Sequence, residues 1–353
     1  MTSPLRVGII GSGFGVFAHL PALRAHPRFE PVALASPTRA IAQAKIHNIP
    51  HAYASALEMI AAQNLDAVII ASPPFAHHAD TLAALEAGLH VLCEKPMGLS
   101  IAECEAMVAA EKAAGTACGI CFEFRYVPQR IALRELITNG HLAPLRDIEI
   151  THLLRFLRRE NHQSRGWWFQ KATGGGIAGA ILSHAIDAAN FLVDRAPVHV
   201  TGILRTANLH REDTAGAFLS EVDDGAFALL DYGDGLIARL SVDGCAAVES
   251  FTIAVHGEDR TAVASGTNTV DLRLFSVDEE ETNELECAAS PYARYASING
   301  NVPLLVRLYD DWADAIDGKG NCLPRFTDGL AVQRVLDALG YVRTNAKSAV
   351  SSG

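Results

Sequence analysis

The stretch Leu5-Arg6-Val7-Gly8-Ile9-Ile10-Gly11-Ser12-Gly13-Phe14-Gly15 decides the fold. Leu5–Ile10 is a short apolar run of the kind a strand buried on both faces requires. Gly11–Gly15 breaks the run, and His19–His26 reads as helix. A glycine cluster carries meaning in this strand–turn–helix context. Glycine adopts conformations that a side chain forbids, and it lets backbone N–H groups approach a pyrophosphate at the helix N-terminus. Gly11, Ser12, Gly13, Phe14 and Gly15 are therefore the candidate cradle of a dinucleotide. The spacing departs from G-x-G-x-x-G, because the third glycine comes one residue early and Val16 holds its place. The competing reading is a tight turn beside an empty cleft.

Outward from this turn, strands and helices alternate. Pro31–Ala35 reads as a strand, and a helix follows from about Thr38 to Asn48. Ala67–Ala71 is a further strand, ended by Ser72-Pro73-Pro74, with a helix over His77–Ala87 stopped at Gly88. Then come the strand His90–Cys93, the helix Ile101–Ala114 and the strand Ala117–Phe122. This alternation implies a doubly wound parallel sheet with right-handed crossovers. The rest reads differently. Arg146–Leu154 starts a strand, Ile177–Leu192 is helical, and Val198 to about Leu274 suggests a largely antiparallel sheet. Phe227–Leu230 and Leu236–Leu240, around Gly233-Asp234-Gly235, form one such pair. Leu304–Ile316 and Asp328–Leu339 are amphipathic helices, and the tail Ser348–Gly353 is expected to fray. The predicted class is α/β: a Rossmann domain over 1–122 and an α+β domain over 123–353 with a large, mainly antiparallel sheet.

Composition sets the bounds. A chain of 353 residues, 49% hydrophobic and 20% charged, is long enough for two domains and buries a core without disulfides or metals. The net charge of −11 argues against a nucleic-acid binder, which presents a basic face. The basic cluster Arg155, Arg158, Arg159 and Arg165 is short and local. It reads either as a solvated loop or as a contact for an anionic or polyhydroxy ligand. Seven cysteines without regular spacing fit reduced thiols in the cytosol. Cys118 and Cys121 form a CxxC, but on a strand and its exit, away from the helix start that activates a thiol. The pair has no matching His or Cys pair nearby, so no metal is expected. The N-terminus lacks a signal-peptide pattern and no apolar run approaches the ~20 residues that span a bilayer, so a cytoplasmic, membrane-free protein is expected.

Two further segments carry chemistry. An NAD-binding Rossmann domain usually places an acid after its second strand to hold the ribose hydroxyls. Here Ser36-Pro37-Thr38-Arg39 offers none. Ser36 and Thr38 can donate to a phosphate and Arg39 can pair with it bidentately, which favours NADP over NAD. The alternative is that Arg39 is only an exposed helix residue. Glu94-Lys95-Pro96 follows the strand His90–Cys93, at the carboxyl edge where such sheets bind ligands. Lys95 there can supply or remove a proton, although a lysine at a strand end is in general more often a surface residue.

These residues together resemble a known family. Gly11–Gly15, His19-x-Pro21-Ala22-Leu23, Ser72-Pro73-Pro74 with His77, and Val91-Leu92-Cys93-Glu94-Lys95-Pro96 look like the Gfo/Idh/MocA oxidoreductases. The resemblance continues in Glu123-Phe124-Arg125-Tyr126-Val127-Pro128, in Gly174-Gly175-Gly176 with Ser183, His184 and Asp187, and in Asp328-Gly329, so it covers nearly the whole chain. It implies a second domain with an open-faced sheet, through which family members pair as dimers or tetramers. It implies a nicotinamide near Glu94-Lys95-Pro96, with Ser72, Pro73 and His77 also lining the cofactor site, and a cis bond before Pro96. Lys95 would be the general acid or base, and His184 would share the proton or bind the substrate hydroxyl. In many family dehydrogenases an Asp lies four residues before the histidine. Here that position is Ala180, which makes removing a proton from an alcohol harder and leaves carbonyl reduction plausible.

The substrate residues read less sharply. His184 and Asp187 share a helix face and are otherwise a core-satisfied pair. Arg165, Trp167 and Trp168 suit a sugar, through aromatic faces and an arginine, while one tryptophan is expected to be core. Arg125 is a polar candidate at the hinge, or a structural ion pair. The expected protein is an NADP-preferring oxidoreductase that moves hydride to or from the hydroxyl or carbonyl carbon of a sugar, cyclitol or small polyol. Two rivals are a decayed dinucleotide-binding sensor, which Ala180 favours, and a glycoside hydrolase that keeps its cofactor bound.

Overall fold

The structure, a computed structural model, describes residues 3–158, 165–267, 270–278 and 283–342. Arg159 of the basic cluster and the tail from Ser348 lie outside the described residues. The first elements are β1 (Leu5–Ile10), α1 (Leu20–Ala25), β2 (Phe29–Ala35), α2 (Ala40–His47), β3 (His51–Tyr53), α3 (Ala56–Ala62) and β4 (Ala67–Ile70). They continue with α4 (Pro74–Glu86), β5 (His90–Cys93), α5 (Ile101–Ala114), β6 (Cys118–Ile120) and α6 (Pro128–Thr138). Then follow β7 (Leu145–Leu153), α7 (Ser183–Val193), β8 (His199–Arg205), β9 (His210–Asp213), β10 (Gly216–Leu219), β11 (Gly225–Asp231) and β12 (Ile237–Asp243). The last are β13 (Ser250–Gly257), β14 (Arg260–Gly266), β15 (Val270–Ser276), β16 (Asn283–Leu285), α8 (Val302–Ile316) and α9 (Phe326–Ala338). The chain divides into two compact units, 1–139 with 285–331 and 140–284 with 332–353.

In the first unit six parallel strands run in the order β3-β2-β1-β4-β5-β6. This is the doubly wound Rossmann order, whose ligand crevice lies outside the carboxyl ends where the winding reverses, between β1 and β4. Every residue of β4 is buried, as its unbroken apolar run requires. Side-chain caps fix the helix starts: Ser100 Oγ accepts from Glu103 N at 3.2 Å to begin α5, and Ser55 Oγ accepts from Glu58 N at 3.2 Å to begin α3. The far segment 285–331 completes this unit. Leu305, Val306, Leu308, Tyr309 and Trp312 of α8 share one core with Leu20, Leu23, Phe29 and Leu34, and Phe29 stacks on Trp312 with ring centroids 5.0 Å apart. The amphipathic pattern of α8 thus closes the sheet on which the glycine turn sits.

The second unit holds a sheet of order β16-β15-β14-β13-β7-β12-β11-β8. β7 and β12 are parallel, while β8–β11, β11–β12, β7–β13, β13–β14 and β14–β15 are antiparallel. Alternation sorts the two faces. Ile148, Ile150, Ala226, Ala228, Leu230, Ala238, Leu240 and Val242 are buried on the face against which α7 packs, while Ile203, Phe227, Leu229 and Arg239 stand exposed on the other. β9 and β10 form a separate hairpin.

The stretch 171–193, short turns interrupted at Gly174–Gly176 and followed by α7, is long and apolar enough to cross a membrane by length and composition alone. Burial of 72% of its most apolar window identifies it as a core helix of this unit.

Candidate active site

The glycine turn is built by close approach. Gly11 N donates to Ala35 O at 2.8 Å, holding the turn against the end of β2. Its φ is +110°, and a Cβ there would stand 2.1 Å from Ala71 O, so no side chain fits. Gly13 differs: a Cβ there would meet nothing within 4 Å, so its backbone faces open space. A helical turn over Gly15–His19 follows and runs into α1. Ser12 Oγ and Ser36 Oγ lie 2.9 Å apart and buried, so the Ser36 hydroxyl expected to meet a phosphate is turned to Ser12 instead. Thr38 and Arg39 are exposed beside it. No acid stands at the end of β2.

The Glu94-Lys95-Pro96 turn leaves β5 in the same unit, and its Lys95–Pro96 bond is cis, as the resemblance implied. Glu94 is buried. Its Oε1 lies 3.0 Å from His19 Nε2 and its Oε2 accepts Lys95 N at 3.1 Å. Burial pushes this carboxyl up, but the His19 hydrogen bond and the charges of His19 and Lys95 outweigh it and hold the group below its ordinary range. The carboxylate therefore serves the protein's own residues. His19 Nδ1 in turn lies 2.7 Å from Tyr309 Oη on α8. Lys95 itself is half-buried.

His77 is buried, with Nε2 2.7 Å from Ser72 O and Nδ1 2.9 Å from Pro96 O. It lies between the exit of β4 and the Lys95 turn, with a backbone carbonyl within hydrogen-bond distance of each ring nitrogen. Burial lowers its pKa against the pull of both carbonyls. Ser72 Oγ donates to Asp80 at 2.8 Å, and Pro73 directly precedes α4. Glu123, buried after β6, is pushed up to about 8 by burial and by the charge of Glu94. Arg125 is buried, 3.4 Å from Asp328 and over the Phe122 ring, which is the structural ion-pair reading of that residue. The CxxC thiols are buried, and burial raises Cys118 to about 12 and Cys121 well above its usual value, far from a reactive thiolate.

In the second unit, His184 and Asp187 are both buried on α7. Gly174–Gly176 lead in, and a Cβ on Gly175 would lie 2.1 Å from Trp168 O, so the glycine run lets two backbone segments touch. Asp223 accepts Ala178 N at 2.7 Å at the start of the helical stretch. Arg165 is committed elsewhere than expected. Its Nε donates to Asp213 at 2.9 Å and its Nη2 to Gly216 O at 2.9 Å, fixing its loop to the β9–β10 hairpin. Trp167 is exposed, while Trp168 is half-buried, edge-on to Phe156 and Phe169.

Against this geometry, residues 5–122 match the family model described as an oxidoreductase family with an NAD-binding Rossmann fold, and residues 131–263 match the GFO/IDH/MocA C-terminal domain. The chain is 33% identical over 261 residues to trans-1,2-dihydrobenzene-1,2-diol dehydrogenase of Bos taurus, covering 72% of each. The chain belongs to the Gfo/Idh/MocA oxidoreductase family. A second relative, levoglucosan dehydrogenase of Pseudarthrobacter phenanthrenivorans, is 26% identical over 372 residues, covering 95% of each chain. The structure of levoglucosan dehydrogenase in complex with NADH superposes with a TM-score of 0.84 at 24% identity, covering 95% of this chain and 96% of that one, which shows a shared fold. Membership makes this protein a nicotinamide-dependent enzyme of the dehydrogenase and reductase class.

Within this Gfo/Idh/MocA chain, two residues escaped sequence reading. His19 entered it only as part of the family pattern, and Tyr309 only as an apolar position of a helix. A polar residue four positions after Gly15 on a helix facing the core was the available signal.

Proposed function

We propose that the protein transfers hydride between NADP and the hydroxyl or carbonyl carbon of a sugar, cyclitol or related small polyol. The observation that carries this is the Lys95 turn, clamped by Glu94 and His77 at the carboxyl edge of a sheet whose glycine turn leaves Gly13 open. When bound, the nicotinamide supplies the hydride chemistry. The chain's own residues do the rest. Gly11–Gly15 receive the pyrophosphate, and the open backbone at Gly13 supports that fit. With the Ser36 hydroxyl engaged by Ser12, recognition of a 2′-phosphate falls to Thr38 and Arg39; Arg39 is exposed and, among the described residues, makes no ion pair. Lys95 Nζ donates a proton to the carbonyl oxygen in reduction or takes it from the hydroxyl in oxidation. His184 is the second proton-handling group, and Trp167 is the exposed aromatic face suited to a ring. The names of the relatives, dehydrogenases of levoglucosan and of a cyclic dihydrodiol, support a ring carrying hydroxyl groups.

A panel of cyclic polyols and their ketones, assayed with both cofactors at the nicotinamide absorbance band, tests this reading. Lys95→Ala is expected to lower kcat by ~10²–10⁴-fold while leaving the Kd for NADPH nearly unchanged. Wild-type turnover in that variant would remove Lys95 from the proton path. Ala180 favours the sensor reading, which would be carried by tight NADPH binding together with no turnover on any member of the panel.

A further inference from the structure

His19 is fully buried, on the helical turn directly after the glycine cradle, and both its ring nitrogens are engaged. Nε2 lies 3.0 Å from Glu94 Oε1, and Nδ1 lies 2.7 Å from the hydroxyl of the fully buried Tyr309. Glu94 Oε2 receives the backbone N–H of Lys95 at 3.1 Å. The Phe14 ring of the cradle packs edge-on to the His19 ring, centroids 5.5 Å apart. An unbroken chain of contacts thus runs from the cradle through His19 and Glu94 to Lys95, steadied by α8. Nε2–H donates to the carboxylate, and the Tyr309 hydroxyl engages Nδ1. His19, Glu94 and Cys121 also bring three potential metal-ligand atoms within 4.8 Å of one another. The hydrogen bonds on both imidazole nitrogens and the protonated thiol make that trio a polar network of the protein itself.

We propose that His19 is a positioning residue, which through Glu94 fixes the Lys95 turn relative to the cofactor cradle, with Tyr309 fixing the orientation of the imidazole. The inference rests on the reading of Lys95 above. A buried polar chain of this kind orients what it holds only when each member is satisfied, and a misplacement of about 1 Å costs ~100-fold in rate.

The test uses the full-length protein and labels lysines with trinitrobenzenesulfonate, following Lys95 by peptide mass spectrometry with and without NADPH. In the wild type NADPH is expected to slow Lys95 labelling ~10-fold or more. In His19→Leu that protection should fall to about twofold or less while NADPH still binds; Tyr309→Phe should lie between, and His19→Gln, which keeps a donor toward Glu94, should recover most of it. On whichever polyol turns over, kcat should fall with KM little changed. Wild-type protection in both His19→Leu and Tyr309→Phe overturns the proposal. Should His19→Leu fail to fold, Tyr309→Phe and His19→Gln decide in the same way. Turnover retained in Lys95→Ala would instead remove the catalytic reading, whatever the labelling shows.

Discussion

Gly11 and Gly13 stand two residues apart in one turn and do different work. Gly11 is required by the fold, since its left-handed φ and the Ala71 carbonyl leave no room for a Cβ. Gly13 has the room and lacks a side chain for another reason, which is the ligand its backbone is proposed to meet. The same separation applies to charged residues. Arg125 and Arg165 were candidates for substrate, and each is held by a carboxylate, Asp328 and Asp213. Arg39 is exposed at the start of α2. Losing a charge-assisted bond of ~1.5–3 kcal/mol in Arg39→Ala should weaken NADPH ~10–150-fold and NADH little. Titrations of both cofactors check this, and equal losses would contradict a 2′-phosphate site.

At the scale of elements, long apolar runs and capped helices were legible. β5 and α5 lie where the sequence put them, because an unbroken apolar run has one use in a doubly wound sheet and Ser100 caps its helix. β3 and α3 were missed: His51–Tyr53 is a three-residue, partly exposed edge strand with no apolar alternation to betray it. The joining of α8 to the first unit was also hidden, since an amphipathic helix states which face it buries and not what it buries it against. The helical stretch leading to α7 depends on Asp223, whose carboxyl receives the Ala178 N–H. Burial pushes that carboxyl up to about 6, against the Ala178 bond. A carboxyl whose folded pKa is raised loses stability as pH climbs from the unfolded value, near 4, to about 6, and the loss is complete above that. Asp223→Asn keeps an acceptor without the ionisation, so its melting temperature should exceed the wild type's at pH 8, by the equivalent of up to about 3 kcal/mol, and match it near pH 4. A variant less stable than the wild type at pH 8 would contradict the sign.

For the whole molecule, the sheet of the second unit leaves one face open, with Ile203 69% and Leu229 46% exposed beside Phe227. We propose that this exposed apolar patch is an association surface and that a second copy of this chain occupies it, as the family resemblance implied. Ile203→Glu with Phe227→Glu should shift sedimentation from a dimer or tetramer to monomer, while an unchanged sedimentation coefficient would place the interface elsewhere.

The proposed function requires that the turn after β1 grip a pyridine nucleotide, and Gly13→Val tests that alone, because a Cβ at Gly13 meets nothing within 4 Å in the fold and would crowd a pyrophosphate held by this turn. Fluorescence titration with NADPH should give saturable binding by the wild type and a loss of ~100-fold or more in Gly13→Val, at an unchanged melting temperature. Equal NADPH affinity in the two proteins, or none in the wild type, would contradict the account.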